Sequence, residues 1–388
     1  MGDQMLVYLD NSATTRPYDE VIKEMTDVMS WKYGNPSSLH RMGFDAEKIV
    51  KMSRLKVSDA LNAHSGEVFF TGGGTEGDNI AILGGARSLK RKGRKIITSK
   101  VEHPAVLETF KALEQEGFEP VYLDVDEHGV VDLDQLKSEL NDQTALVSLM
   151  HVNNELGTVQ PVEEAGKLIK SMDKVHYHID AVQSFGKLDM SSAVSAADLV
   201  TVSGHKIHGP KGIGALYVKH GTVIKSPVTG GGQEKNIRPG TENVPGIAGF
   251  GMAAELAYKD FDNKIANMRK VRTYLLEGIK SEIKDIRINS FEDERSAASV
   301  LNISFLGVRG EVLLHMLEQK EIYVSTGSAC SSNKKGQSHV LKAAGLKDEE
   351  IEGAIRFSFS QFNTVEEMDW VLSELKKAVA AIRKVTRR

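Results

Sequence analysis

The sequence predicts an α/β fold, with a large unit on a mostly parallel seven-stranded sheet flanked by helices and a smaller α+β unit. Three observations predict it. Short apolar, β-branched runs alternate with helical patterns through the first half of the chain, as crossover-connected parallel strands require. The 388 residues are about 2.6 times a typical domain length, enough for one large or two ordinary domains. Beyond a glycine-rich stretch around 230–251 the alternation stops and a different mixture of elements begins.

Seven strands are expected, at residues 68–71, 95–99, 120–123, 145–150, 175–179, 199–202 and 213–218. Helical patterns separate most of them, for example at 105–116 and 162–172. One long helix is expected over 252–283. Strands at 286–289, 300–305, 323–325 and 354–359 follow, with helices at 311–319 and 365–385.

Composition excludes several classes of function. Hydrophobic residues make up 40% and charged residues 26%, which is globular usage and argues against disorder. The formal net charge of −4 gives no basic surplus for nucleic acid. The basic runs at 87–95 and 382–388 read as solvated helix ends or faces. No apolar run is long enough to span a bilayer, and the start of the sequence has no secretory signal pattern. The single cysteine, Cys330, excludes an intrachain disulfide and a multi-cysteine zinc site, and it fits a reducing cytoplasm. His176 and His178, and His205 with His208, carry no metal motif, and no metal is expected.

Polar residues collect where the expected strands end, and ligands bind beyond the carboxyl ends of strands in open α/β sheets. The first strand runs into Gly72, Gly73, Gly74, Thr75 and Glu76. The second is followed by Glu102 and His103, the fourth by His151, Asn153 and Asn154. The fifth leads to Asp180 and Gln183, the sixth to Ser203, His205 and Lys206. The glycine run suits an anion held at a helix N-terminus; it equally suits an unliganded helix start capped by Thr75. Gly72, Gly74 and Gly77 also match a dinucleotide fingerprint, without the acid expected about 20 residues on. Asp180 and Lys206 each have structural explanations alone. Beside an anion cradle they form the set that pyridoxal phosphate needs: a lysine for the Schiff base, an acid for the ring nitrogen and a phosphate site. Cys330 sits among small and polar residues, which favours a reactive thiol over a packed one, and Lys334 and Lys335 would favour the thiolate. Arg356, in an alternating strand pattern, either forks a substrate carboxylate or stands in solvent on an edge strand.

Together these motifs resemble the cysteine desulfurases of the NifS/IscS family, group I, among the fold-type I pyridoxal phosphate enzymes. The resemblance runs from Tyr8-Leu-Asp-Asn-Ser-Ala-Thr-Thr15 and Tyr33-Gly-Asn-Pro-Ser-Ser-Leu-His40 through Val101-Glu-His-Pro104, Asn153-Asn-Glu-Leu-Gly157 and His178-Ile-Asp-Ala-Val-Gln183. It continues in Ser203-Gly-His-Lys-Ile-His-Gly-Pro-Lys-Gly212, Arg238-Pro-Gly-Thr-Glu-Asn243, Gly327-Ser-Ala-Cys330 and Ile355-Arg-Phe-Ser358.

The resemblance implies a large cofactor-binding domain at 17–255 and a small domain at 1–16 and 256–388 that carries the Cys330 loop. It implies that Lys206 holds pyridoxal phosphate and that Asp180 and Gln183 face its ring nitrogen and ring oxygen. His103 would stack on the ring and move protons. Gly74, Thr75, Ser203 and His205 would hold the phosphate, with Thr241 arriving from a second subunit of a homodimer. Asn154 and Arg356 would hold L-cysteine, and Asn154 would touch the cofactor as well. Cys330 would take its sulfur as a persulfide, release alanine, and pass the sulfur to an acceptor protein for iron–sulfur cluster assembly or tRNA thiolation. The sequence departs from the IscS pattern at Asn11, where Tyr is usual, and in its basic Thr386-Arg-Arg388 end. A selenocysteine lyase or aminotransferase of the same fold, an NAD oxidoreductase and a non-catalytic sulfur carrier are the alternatives.

Overall fold

The computed structural model describes residues 5–326 and 337–386; the expected nucleophile Cys330 lies outside them. Twelve strands occur among the described residues: β1 (Val7–Tyr8), β2 (Val68–Thr71), β3 (Lys95–Ser99), β4 (Glu119–Leu123), β5 (Thr144–Met150), β6 (His176–Asp180), β7 (Leu199–Ser203), β8 (Gly214–Val218), β9 (Ile286–Ile288), β10 (Val300–Phe305), β11 (Ile322–Tyr323) and β12 (Ala354–Ser358). Seven form the central sheet in the order β2-β8-β7-β6-β5-β3-β4. Only β8 runs against its neighbours, so β2, β3, β5, β6 and β7 all end at one edge. All seven residues of β5 are buried, as expected of a parallel strand covered on both faces.

β12, β10 and β9 form a three-stranded antiparallel sheet. The N-terminal segment reaches this part of the molecule. β1 pairs in parallel with β11, and Val7 and Leu9 pack in the same apolar core as Ile303, Phe305, Phe357 and Leu375. A second large core lies under the central sheet, around Ile179, Val200, Val202 and Phe250. At roughly 1.5–3 kcal/mol per fully buried large apolar side chain, each cluster outweighs any single polar contact described below.

The expected strands fall within a residue or two of those found, the one at 323–325 included, which matches β11. The helices Asp19–Trp31 and Arg41–Leu61 are additional to the expected elements. The long helix expected over 252–283 is two helices, Val244–Tyr258 and Phe261–Glu282. Asp260 breaks it with a left-handed φ of 56°, a conformation that a short polar side chain tolerates. Apolar periodicity does not register the break, because Tyr258 and Phe261 stack across it at 5.1 Å. The first of these helices starts early because Asn243 caps it, accepting from Gly246 N at 3.1 Å. Its glycines are contact points: a Cβ on Gly251 would lie 2.8 Å from Ser53 Cα, and one on Gly249 2.7 Å from Met25 Cγ.

Arg272 ties helix Phe261–Glu282 to β10. It is fully buried, and its Nε donates to Val300 O at 2.8 Å while Nη2 donates to Phe291 O. β10 in turn holds Arg356 opposite Asn302. Arg272→Met keeps the stem and strands both carbonyls, so it should destabilise the fold by about 3 kcal/mol. Urea unfolding would show a lower midpoint at unchanged slope; an unchanged midpoint would mean that the carbonyls find other donors.

Candidate functional site

The five strand ends singled out in the sequence meet at the one edge where β2, β3, β5, β6 and β7 terminate. Ser203 and Thr71 lie in register with Gly214 of β8 from its two sides. Helix Gly74–Leu89 starts directly beyond β2. Its cap position is Gly73, with φ at 145° and no side-chain cap bond, so Thr75 is not the cap. Thr75 sits exposed in the first turn instead, its carbonyl accepting from Asn79 Nδ2 at 2.8 Å. First-turn N–H groups have no partners within their own helix, and here no side chain fills the cap.

Gly74 lies under a tight ceiling. A Cβ there would stand 2.8 Å from Val182 Cγ2 and 3.7 Å from Ser203 Cβ. Ser203 is buried, and its Oγ has no hydrogen-bond partner. A buried hydroxyl without a partner is costly, and this one stands beside the unfilled helix start. Gly77 serves packing, since a Cβ there would meet Thr201 Cγ2 at 2.7 Å. Two positions of the apparent dinucleotide fingerprint, Gly74 and Gly77, are thus explained by space, and at the third, Gly72, a Cβ would stand 3.2 Å from Glu76 Oε2. Beside the run, the Glu76 carboxylate pairs with Arg238 at 3.2 Å and accepts from Gly72 N.

Lys206 follows β7 in a single 3-10 turn. Its ammonium donates to Ser12 O and to Ala13 O, the latter at 2.9 Å. Gln183 is buried, and its Nε2 donates to the same Ser12 carbonyl at 3.0 Å. Asp180 ends β6, buried, with Oδ1 accepting from Val182 N at 3.0 Å. Burial pushes its carboxyl up to about 6, while the Val182 N–H and the Lys206 charge pull the other way. The two charges therefore share one desolvated region.

His103 caps helix Pro104–Gln115, with Nδ1 accepting from Ala105 N at 3.1 Å. Burial, with the Lys206 charge, lowers its pKa to about 4. The ring is therefore neutral at pH 7, and the cap places its hydrogen on Nε2. His205 is also pushed down to about 4, by burial first and Lys206 second. Its Nδ1 lies 3.2 Å from Thr14 Oγ1.

Arg356 is buried rather than exposed on an edge, which overturns the solvent reading. Nη2 pairs with Asp10 Oδ1 at 2.8 Å, Nη1 donates to Asn154 O at 3.0 Å, and Nε is buried without a partner. β12 is an edge strand of its sheet, but Asp10 bridges Ser358 and Ser325 bridges Arg356, which covers it. Asn154 thus meets Arg356 through its backbone. Thr241 is exposed before helix Val244–Tyr258, and no hydrogen bond among the described residues joins it to the others.

His178 is accounted for by the core: its ring nitrogens lie 2.8 Å from Ser148 Oγ and 2.9 Å from Thr201 Oγ1. Sequence reasoning missed Asp10 and Ser12, which lay inside a quoted motif but carried no pattern of their own. Two acids at these strand ends were seen in the sequence but given no role: Glu102, a buried acid pushed up to about 8 by desolvation, and Glu155. Glu155 has a partner across the chain. It is buried, it accepts from Ser338 Oγ at 2.5 Å, and desolvation raises it to about 7.

The chain matches the aminotransferase class-V family over residues 7–371. It is 43% identical to cysteine desulfurase IscS of Clostridium botulinum, over 98% of this chain and 96% of that protein. Cysteine desulfurase IscS of Methanosarcina thermophila is also 43% identical, over 98% of this chain and 93% of the relative. Among solved structures, a NifS-like protein superposes with a TM-score of 0.91 at 39% identity, over 97% of this chain and all of that one. The structure described as SspA in complex with cysteine superposes with a TM-score of 0.81 at 32% identity, over 92% of this chain and 100% of that one. A full-length match of this kind, on a site with this lysine, acid and helix start, places the chain in the aminotransferase class-V family, among its NifS/IscS cysteine desulfurases.

Proposed function

We propose that the chain is a pyridoxal phosphate-dependent L-cysteine desulfurase that moves sulfur from L-cysteine to Cys330 and on to an acceptor protein. The observation that carries this reading is the meeting of Lys206, Asp180 and the unpartnered Ser203 hydroxyl at one sheet edge. The family is pyridoxal phosphate-dependent, and the residues present fit that group. The bare helix start at Gly73–Thr75 and Ser203 Oγ suit a phosphate, and the space beside Gly73 is open, since a Cβ there would meet nothing within 4 Å. Lys206 suits the aldehyde, Asp180 the ring nitrogen and Gln183 the ring oxygen. His205 and Thr75 extend the phosphate site, and Thr241 completes it from a second copy.

When bound, pyridoxal phosphate supplies an aldehyde that captures the substrate amine and a ring that withdraws electrons from it. The protein's own groups do the rest. Arg356 receives the substrate carboxylate beside Asn154, its guanidinium held in plane by Asp10. Asp180 keeps its charge at neutral pH with the help of the Val182 N–H and the Lys206 charge. Neutral His103 presents Nε2–H as a donor, since Nδ1 is committed to its helix. Cys330 thiolate attacks the substrate sulfur; an S–S bond forms and the Cβ–S bond breaks. The Cβ then takes a proton, so that L-cysteine and the thiol become L-alanine and a Cys330 persulfide.

The exposed Trp31, Tyr33, Leu39 and Phe44 on one short stretch support a homodimer, because clustered exposed apolar residues mark contact surfaces. Separate apolar cores support the division into 17–255 and 1–16 with 256–388. No helix among the described residues is long and apolar enough to cross a membrane, and the lone cysteine supports a cytoplasmic setting. The acceptor serves iron–sulfur assembly or tRNA thiolation.

The test is a visible spectrum followed by L-cysteine. A yellow protein should release alanine and carry a persulfide on Cys330. Cys330→Ser should keep the colour and lose both products, whereas alanine at the normal rate would sink the nucleophile assignment. Lys206→Ala should lose the anchored chromophore and at least about 100-fold in turnover. Arg356→Ala should raise KM for L-cysteine about 10-fold or more, with a smaller effect on kcat. If kcat alone falls, Arg356 serves the fold and not the substrate.

A further inference from the structure

Lys187 has no role in the reading above, yet it stands at the site. It lies four residues beyond Gln183 in a run of turns, and its Nζ donates to Gln183 Oε1 at 3.3 Å. It lines the small cavity that also takes in Asn11, Lys206, Ser360 and Gln361. A primary amide has two faces, an acceptor oxygen and a donor NH2, that differ little in shape. An ammonium can only donate, so the end of the amide it meets must be the oxygen. The NH2 is then turned to the other side, where it donates to Ser12 O at 3.0 Å. That carbonyl also accepts from Lys206.

We infer that Lys187 is a positioning residue that pins the Gln183 amide by its oxygen, so that the NH2 always faces the side of the site where Lys206 lies. The inference rests on the pyridoxal phosphate reading, in which that NH2 serves the ring oxygen. Lys187 acts through Gln183 and touches no reacting atom. The arrangement keeps a lysine in a costly place. Burial, together with the charges of Lys206 and Arg356, pushes Lys187 down to about 7. A lysine needed only for solubility would not sit there.

Other charged and titratable groups surround Lys187. Lys206, His205 and His208 come from the segment after β7, Arg356 from β12, and Lys264 from helix Phe261–Glu282. All are cationic or neutral bases, and the amide oxygen of Gln183 is the group to which Lys187 Nζ donates.

The test uses the full chain, stripped of cofactor and titrated with pyridoxal phosphate, with affinity read from visible absorbance. Lys187→Met should weaken cofactor binding about 10-fold and move the pH midpoint of the visible band upward, as loss of a fixed donor and a nearby cation would. Lys187→Arg should restore both to within about twofold, since guanidinium also only donates. In a Gln183→Leu background, Lys187→Met should weaken binding by less than half as much in free energy, the sign of coupled residues. Unaltered affinity and midpoint in Lys187→Met, or an equal loss of affinity in both backgrounds, would overturn the inference. If Lys187→Met does not fold, as circular dichroism would show, the comparison passes to Lys187→Gln in the same two backgrounds. A wild-type chain that takes no colour from pyridoxal phosphate would instead overturn the site reading beneath it.

Discussion

The carbonyl of Ser12 accepts from both the Lys206 ammonium and the Gln183 amide, and much of the structure hangs on where that carbonyl lies. It is placed by a segment that packs in one core and hydrogen-bonds to the other part of the molecule. Val7 and Leu9 are buried with β10 and β12, Asp10 bridges Ser358, and Ser12 N donates to Ser358 Oγ at 2.9 Å. A few residues on, Thr15 N and Oγ1 both donate to His205 O. The short run from Val7 to Thr15 therefore fixes Lys206 and its neighbours relative to Arg356. A lysine held by two backbone carbonyls is oriented without being neutralised, so its amine stays available for chemistry.

The electrostatics of the site follow from which term wins at each group. For Asp180 burial wins over attraction, and the carboxyl rises to about 6 despite Lys206. It still ionises below neutrality, so it carries charge at neutral pH. At the neighbouring Asp78, burial first and the Asp180 charge second drive the carboxyl well above the usual range. Around it the histidines are pushed down and stay neutral. The result is a region with few ionised groups, each with a partner, where a hydrogen bond counts for more than it does in water.

The central sheet was legible because its strands are buried on both faces and read as apolar runs between turn signals. Its ligand edge was legible because polar residues interrupted those runs at their ends. Three features were not. The break at Asp260 depends on one left-handed residue inside a continuing periodic pattern. The burial of Arg356 depends on a segment 346 positions away in sequence, and no local pattern announces that. Lys187 looks like any lysine after a turn; only the amide oxygen it meets gives it meaning. Each of these depends on tertiary contact, which overrides or escapes local preference.

The glycine run shows how one pattern is resolved. From sequence it served equally as an anion site or as a capped helix start. The cap reading needed Thr75 at the cap, but the cap is Gly73, at a φ that only glycine adopts readily. The packing reading explains Gly77 and part of Gly74, and neither explains why a buried hydroxyl should be left without a partner beside them. Removing the Ser203 hydroxyl would relieve a desolvation cost if nothing ever bound there. A group with several acceptor oxygens, seated against the bare N–H groups and Ser203, satisfies all of them together. The unpartnered oxygen, rather than the glycines, is what distinguishes a phosphate site from a helix that merely begins.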